Sequence, residues 1–96
     1  MALLGSFTKQ PREILDCDFN YTTTLAGRTD SMSNTFSTEV TPPGSLTVTS
    51  AVRSGNIIKL TVSGGTTNNV YKITLLATTT AGLVYEDEVN VVVEEV

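Results

Sequence analysis

The sequence contains no histidine, no tryptophan and a single cysteine, Cys17, among its 96 residues. Without histidine, the chain lacks the side chain that proteins use most often for acid–base catalysis and metal binding. One cysteine cannot form an intrachain disulfide, so the fold does not rest on a disulfide framework, which favours synthesis in a reducing compartment. These absences predict a protein that is not an enzyme and that carries no metal and no cofactor.

Positive charge is also scarce, because six residues are basic against ten that are acidic, and the net charge is −4. Binding to nucleic acid requires clustered lysine and arginine side chains that neutralise phosphates. The basic residues are instead scattered along the chain: Lys9, Arg12, Arg28, Arg53, Lys59 and Lys72. No apolar run approaches the roughly 20 residues that span a bilayer, and the apolar run in residues 1–5 is too short for an export signal. We therefore expect a soluble protein with neither nucleic acid nor a membrane as its partner.

Threonine is the most frequent residue, and valine is the second. Both are β-branched and favour strands over helices. Hydrophobic residues make up 40% of the chain, which suits the single modest core that a chain of this length can bury. The composition therefore predicts one all-β domain.

Six segments alternate between apolar and polar residues, which is the period of a strand with one buried face. They cover residues 15–21, 32–41, 46–52, 58–63, 71–77 and 85–93. The residues predicted to share the inward face are Leu15, Cys17, Phe19, Tyr21, Met32, Phe36, Val40, Leu46, Val48, Ser50, Val52, Ile58, Leu60, Val62, Tyr71, Ile73, Leu75, Ala77, Val89, Val91 and Val93. The last segment ends in two glutamates, which we interpret as the charged end of an edge strand.

Clusters of turn residues separate these segments. Pro42 and Pro43 interrupt the chain after the second segment, and Gly64 and Gly65 follow the fourth. We predict an immunoglobulin-like β-sandwich of about six to seven short antiparallel strands, because turns recur at the spacing typical of such folds. The sandwich domain covers residues 13–96, and residues 1–12 form an extended N-terminal arm.

The arm contains three large apolar residues, Leu3, Leu4 and Phe7, which are unusual in a free tail. They predict that the arm packs either on its own domain or on a neighbouring protein. Tyr85 is a further candidate, because tyrosine is enriched where proteins bind one another. We therefore name Leu3, Leu4, Phe7 and Tyr85 as candidate interface residues.

Two other groups of residues could carry chemistry. Cys17 lies at an inward strand position, which favours a small buried hydrophobe over a reactive thiol. Asp16 and Asp18 share one face of their strand, and with Asp30 they could approach a calcium ion. Calcium takes 6–8 oxygen ligands and the spacing of an EF-hand loop is absent, so we interpret these carboxylates as part of a solvated outer face.

Several segments follow one another in the order of a known family. They are residues 7–16, which contain Lys9 and Pro11, the segment Pro43-Gly44-Ser45-Leu46-Thr47-Val48, and residues 64–82, which run from Gly64-Gly65-Thr66 to the turn at Ala81-Gly82. Together they resemble a family of small proteins encoded in tailed-bacteriophage genomes, and the resemblance covers nearly the whole chain. The sequence departs from the family at Cys17, where an aromatic residue is usual, and at Leu83, where arginine follows the hairpin glycine. Tryptophan is common in the first two strands of that family, which here contain Tyr21 and Phe36.

The resemblance implies a virion structural component made in the cytoplasm of the host bacterium. It favours an adaptor that attaches fibres or spikes to the tail, with a capsid decoration or cement protein as the alternative. The implied partners are other virion proteins of the tail, fibre or capsid, and further copies of the same chain. A surface- or carbohydrate-binding module is a further alternative, which the absence of tryptophan disfavours.

Overall fold

The protein folds into two β-sheets. The computed structural model describes residues 2–95, with the side chains of residues 5–95. The strands are β1 (Ala2–Lys9), β2 (Leu15–Asn20), β3 (Met32–Thr41), β4 (Thr47–Ser54), β5 (Ile57–Ser63), β6 (Val70–Thr79) and β7 (Val84–Val93). None of the residues from 2 to 95 forms a helix that could cross a membrane.

The larger sheet has the order β1-β7-β6-β3, and the smaller sheet has the order β2-β5-β4. Neighbouring strands are antiparallel except β1 and β7, which run parallel. The buried apolar side chains lie between the two sheets and form one core. The predicted β-sandwich is therefore confirmed.

The last strand is not at an edge, so that prediction is wrong. Strand β7 lies between β6 and β1 in the larger sheet. The pairing continues past the strand end, where the Glu94 amide donates to the Lys9 carbonyl at 3.0 Å. The sequence could not reveal this neighbour, because residues 2–9 do not alternate and their register shifts between Leu3 and Gly5. The edges of the larger sheet are β1 and β3.

The alternating pattern correctly identifies most of the core. The side chains on the inward face of β5, β6 and the end of β7 are almost completely buried: Ile58, Leu60, Val62, Tyr71, Ile73, Leu75, Ala77, Val89, Val91 and Val93. Phe19, Tyr21, Met32 and Leu46 complete this set from the other segments. Phe36 and Val40 pack against it while half-buried.

Strand β4 departs from the pattern. A register shift between Val48 and Ser50 adds one residue to this strand, as in a β-bulge. Beyond the shift, Ala51 pairs with the buried Leu60, whereas Val52 pairs with an outward residue and is 57% exposed. Ser50 likewise pairs with the outward Thr61. The predictions that Ser50 and Val52 point inward are therefore wrong, because one extra residue reverses the faces of all that follow.

The molecule measures 45 × 22 × 19 Å, and its strands run between two ends formed by the loops. One end contains the loops at residues 10–14, 42–46 and 64–69, and we call it the motif end. The opposite end contains the loops at residues 21–31, 55–56 and 80–83 together with the start of β1, and we call it the hairpin end. Most of the family-like segments named above meet at the motif end.

Candidate interaction surfaces

Lys9 is the organising residue of the motif end. It is the last residue of β1, pairs with Val93 and is completely buried, at 0% exposure. Its Nζ donates to the carbonyl oxygens of Gly64 at 2.6 Å, Gln10 at 2.8 Å and Pro11 at 3.2 Å. Burial lowers the pKa of this amine, and the nearby Glu13 carboxylate opposes that effect. The ammonium group thus ties the end of β1 to the loop between β5 and β6.

The two glycines of that loop fit where other residues would not. Gly64 has φ +76°, and a β-carbon there would collide with the carbonyl oxygen of Ser45. Gly65 has φ +100°, and its β-carbon would stand 2.7 Å from a methyl group of Val93. Glycine is favoured at both positions for two separate reasons: the φ values are positive, and there is no room for a β-carbon.

Tyr71 completes the motif end from the start of β6. Its hydroxyl oxygen accepts from the Thr66 amide at 3.0 Å and from the Asn69 side chain at 3.4 Å. Hydrogen bonds from the side chains of Thr66 and Asn69, and then from the Thr66 amide, lower the pKa of Tyr71 to about 8, since they favour the charged phenolate. The contacts of the motif end are therefore largely internal to the domain.

A pH titration checks this arrangement. We expect the ultraviolet absorbance of phenolate to rise with a midpoint near pH 8, because the pKa of Tyr71 lies at about 8. An unfolded tyrosine has a pKa of about 10, so Tyr71 loses its proton at a lower pH in the folded chain than in the unfolded chain. The free energy of unfolding should rise as the pH increases from about 8 to about 10, and this gain is lost as the pH falls through 8. A Tyr71→Phe variant that keeps the same absorbance midpoint would contradict the assignment.

Aromatic residues join the two sheets at the hairpin end. The Tyr21 hydroxyl donates to Asp87 Oδ2 at 2.7 Å, and its ring centroid lies 5.6 Å from that of Tyr85. Burial, and then the Asp87 carboxylate, raise the pKa of Tyr21. Tyr85 is half-buried opposite Ala77 and packs on the margin of the core. Its role in an interface remains a prediction.

The carboxylates considered for calcium do not come together. Asp30 Oδ1 accepts from the Ser31 amide at 2.8 Å, the Thr80 hydroxyl at 2.8 Å and the Ala81 amide at 3.1 Å. Hydrogen bonds from Thr79 and then Thr80, with these amides, lower the pKa of Asp30 to about 2. Asp30 therefore holds the β6–β7 turn. Within residues 2–95, no three metal-ligating side chains form a cluster.

Cys17 lies in the seam between the two sheets. It is half-buried and lines a cleft of about 190 Å³ with Gly5, Phe19 and Val89. Burial, followed by the charges of the neighbouring Asp18 and Asp16, raises the pKa of the thiol to about 11. A thiol with such a pKa is protonated near neutral pH and is a poor nucleophile.

The N-terminal segment lies on its own domain as strand β1. Phe7 pairs with Val91 and packs, half-buried, against the core. Leu3 pairs with Glu88 along the backbone, and the side chains of Leu3 and Leu4 lie outside the described residues. The start of β1 therefore lies beside the start of β7, close in register to Tyr85. Docking of these residues on another protein remains a prediction.

The hairpin end also presents apolar side chains that sequence reasoning missed. Leu76, Leu83 and Val84 are 40%, 43% and 62% exposed, and we call them the hairpin patch. Thr78 pairs with Val84 and Leu76 pairs with Glu86, so Leu76 and Val84 are diagonal neighbours on the outer face of the larger sheet. The signal was present, because two apolar residues follow the turn glycine Gly82, where turn residues are usually polar.

Most of the chain matches the model of a known protein family. A family model described as podophage GP4 fiber-tail adaptor protein gp77 matches residues 9–92. A search of curated proteins found no significant match. The matched region begins at Lys9, and it includes the loops of both ends and almost all of strands β2 to β7.

Proposed function

The chain belongs to the podophage fiber-tail adaptor family, and from this we propose that it is a non-enzymatic virion protein that attaches fibres or spikes to the phage tail. The family match over residues 9–92 is the observation that carries the proposal. The partners are then a tail protein on one side and a fibre or spike protein on the other. Synthesis in the host bacterial cytoplasm is part of the same proposal.

An adaptor must bind two proteins at once, and an elongated sandwich with two different ends suits that task. The motif end directs its polar groups inward, as the contacts of Lys9 and Tyr71 illustrate. The hairpin end exposes Leu83 and Val84 to solvent. Because removing apolar surface from water drives association, we assign the hairpin end as one of the two docking surfaces.

The hairpin patch has the features of a docking surface. Leu76 and Val84 lie on one outer face, and Leu83 lies in the adjoining turn. Hydrogen bonds between Thr79 and Leu83, from the Thr79 amide at 2.8 Å and to the Thr79 hydroxyl at 3.1 Å, hold that turn in place. A partner therefore meets a preformed surface and loses little entropy in ordering it.

Strand β1 extends this surface at the same end. It is an edge strand of the larger sheet, and its outer backbone groups can pair with a strand of another protein. Leu3 and Leu4 at the start of this strand and Tyr85 at the start of β7 are the proposed contact residues beside the hairpin patch. Phe7, which pairs with Val91 nearer the motif end, is the proposed contact residue farther along β1. Register supports the grouping, since Ala2 pairs with Asp87, two residues beyond Tyr85.

Counting the protein in purified particles tests the proposed role. Quantitative mass spectrometry against the major capsid protein should find a few copies to a few dozen, because fibres occupy a small number of positions around one tail. A ratio near one, or a simple fraction of the capsid lattice, would identify a decoration protein instead. Complete absence from particles would refute the virion role.

Substitutions in the hairpin patch test the proposed docking surface in the same particles. We expect Leu83→Ser with Val84→Ser to reduce the copies per particle by about tenfold or more, because apolar anchors dominate binding energy. Val52→Ser is the matched control, since Val52 is similarly exposed on the outer face of the smaller sheet. Equal losses for both variants would contradict the assignment, and thermal unfolding checks that each variant folds.

A further inference from the structure

Strand β3 presents the least protected edge of the sandwich. Within residues 2–95, no strand pairs with its outer side. The other edges are irregular, short or charged, so they are poorer templates for a long regular pairing than the second half of β3. Strand β1 has a register shift near Gly5, β2 is only six residues long, and β4 has a bulge and places Arg53 at an inward position opposite the buried Ile58.

The second half of β3 is regular. Its register shift lies between Met32 and Phe36, and residues 36–41 then pair with β6 one by one. This stretch contains one charged residue, Glu39, and no proline or lysine. An edge of this kind is a template for another strand, since its outward amides and carbonyls have the spacing of a β-ladder.

The inner face along this edge is incompletely covered. Phe36 and Val40 are half-buried, and Thr38 is exposed although it pairs with the buried Leu75. The smaller sheet therefore does not reach far enough to cover the margin of the larger one at these positions. Ser37, Glu39 and Thr41 alternate with them on the outer face.

The sequence of this edge is complementary to itself. In an antiparallel pair of two β3 strands centred on Thr38, Phe36 lies opposite the second copy's Val40, and Ser37 lies opposite the second copy's Glu39. Thr38 then faces its own counterpart. Aromatic with β-branched, threonine with threonine and hydroxyl with carboxylate are all favourable cross-strand pairs.

The neighbouring registers are worse. Centring the pair on Glu39 sets two carboxylates directly opposite each other, which is destabilising. Centring it on Ser37 sets Val40 opposite Asn34 and loses the match with Phe36. A two-fold axis perpendicular to the sheet keeps inward residues opposite inward residues in all three registers. Only the register centred on Thr38 avoids both the opposed carboxylates and the loss of the Phe36–Val40 pair.

We propose that two copies of the chain associate by antiparallel pairing of β3 with β3, centred on Thr38, and thereby join two four-stranded sheets into one continuous sheet. The strand that pairs with β3 is the β3 of a second copy, because the register that matches Phe36 with Val40, Ser37 with Glu39 and Thr38 with itself is symmetric. This association leaves β1 and the hairpin patch free, so it is independent of the partner that binds there.

Light scattering after size exclusion measures the oligomeric state. At about 1 mM protein, we expect twice the chain mass of 10.2 kDa, falling to the monomer mass on dilution. Thr38→Lys and Thr38→Glu should each be monomeric, because like charges then oppose each other at the centre. Mixing the two variants should restore the dimer mass, since a lysine then faces a glutamate.

Ser50→Lys is the matched control, because Ser50 is exposed on β4, the edge strand of the other sheet. It should remain dimeric. Thr38 is exposed, so its variants should unfold at the temperature of the unmodified chain, which separates loss of pairing from loss of folding. The proposal would be overturned if the unmodified chain were monomeric at about 1 mM. It would also be overturned if the dimer survived Thr38→Lys, or if only Ser50→Lys disrupted it.

Discussion

Replacing Lys9 with methionine is expected to lower the free energy of unfolding by about 3 kcal/mol. Methionine keeps the apolar stem in the core but removes the ammonium group that serves the carbonyls of Gly64, Gln10 and Pro11. Hydrogen bonds to a charged group are worth more than neutral ones, and buried acceptors without a donor carry a desolvation cost. The loss should also loosen the attachment of β1 at the motif end.

Urea denaturation measures this change, with Lys59→Met as the control. Lys59 is exposed on β5 and lies 3.9 Å from Asp16. An ion pair of that kind contributes about 0.5 kcal/mol or less, so the control should unfold close to the unmodified chain. Similar losses in the two variants would show that the Lys9 contacts contribute nothing special.

Gly64→Ala should be similarly costly, at about 3 kcal/mol. Part of the cost is the positive φ of +76°, which alanine tolerates poorly. The rest is the collision of the new β-carbon with the Ser45 carbonyl oxygen. Because that oxygen belongs to the backbone, it cannot turn aside as a flexible side chain would.

Gly82→Ala isolates the two contributions. Gly82 also has a positive φ, at +92°, but among the described residues no atom lies within 4 Å of the position of its β-carbon. This variant should therefore show the conformational cost alone, at about 1–2 kcal/mol. Equal losses at the two positions would exclude a role for the collision.

The two large effects should not add. The carbonyl oxygen of Gly64 is the shortest of the three contacts of Lys9. A displaced Gly64 backbone already weakens that hydrogen bond, so the double variant should lose less than the sum of the single variants. Additive losses would mean that the two residues stabilise the motif end independently.

The sequence predicts the core better than it predicts the edges. Strict alternation in β5 and β6 is sufficient to identify Ile58, Leu60 and Ile73 as core. Each of these strands is central in its sheet and has a paired strand on both sides, so its inward face is covered along its whole length. The edge strands β1, β3 and β4 each contain a register shift, and the shift in β4 left the alternation of its sequence unchanged. Val52 was misplaced for this reason, and the pairing of β1 with β7 was missed because β1 does not alternate.

The residues that carry the family resemblance have mostly structural roles. Lys9 donates hydrogen bonds to backbone carbonyl oxygens of the motif end. Gly64 and Gly65 allow the chain to pass close to its neighbours there. A lysine in a strand normally indicates a solvated face, and its burial becomes evident only when the loop of Gly64 is brought to it. The proposed contact surface instead depends on apolar residues such as Leu83, which differs from the residue usual at that position.

The parallel pairing of β1 with β7 determines how the domain bears tension. The start of β1 lies at the hairpin end and the end of β7 lies at the motif end. A pull between these two points runs along both strands in opposite directions, so the backbone hydrogen bonds between them are loaded in shear and must fail together. A module in this orientation resists stretching far better than one whose strands separate bond by bond.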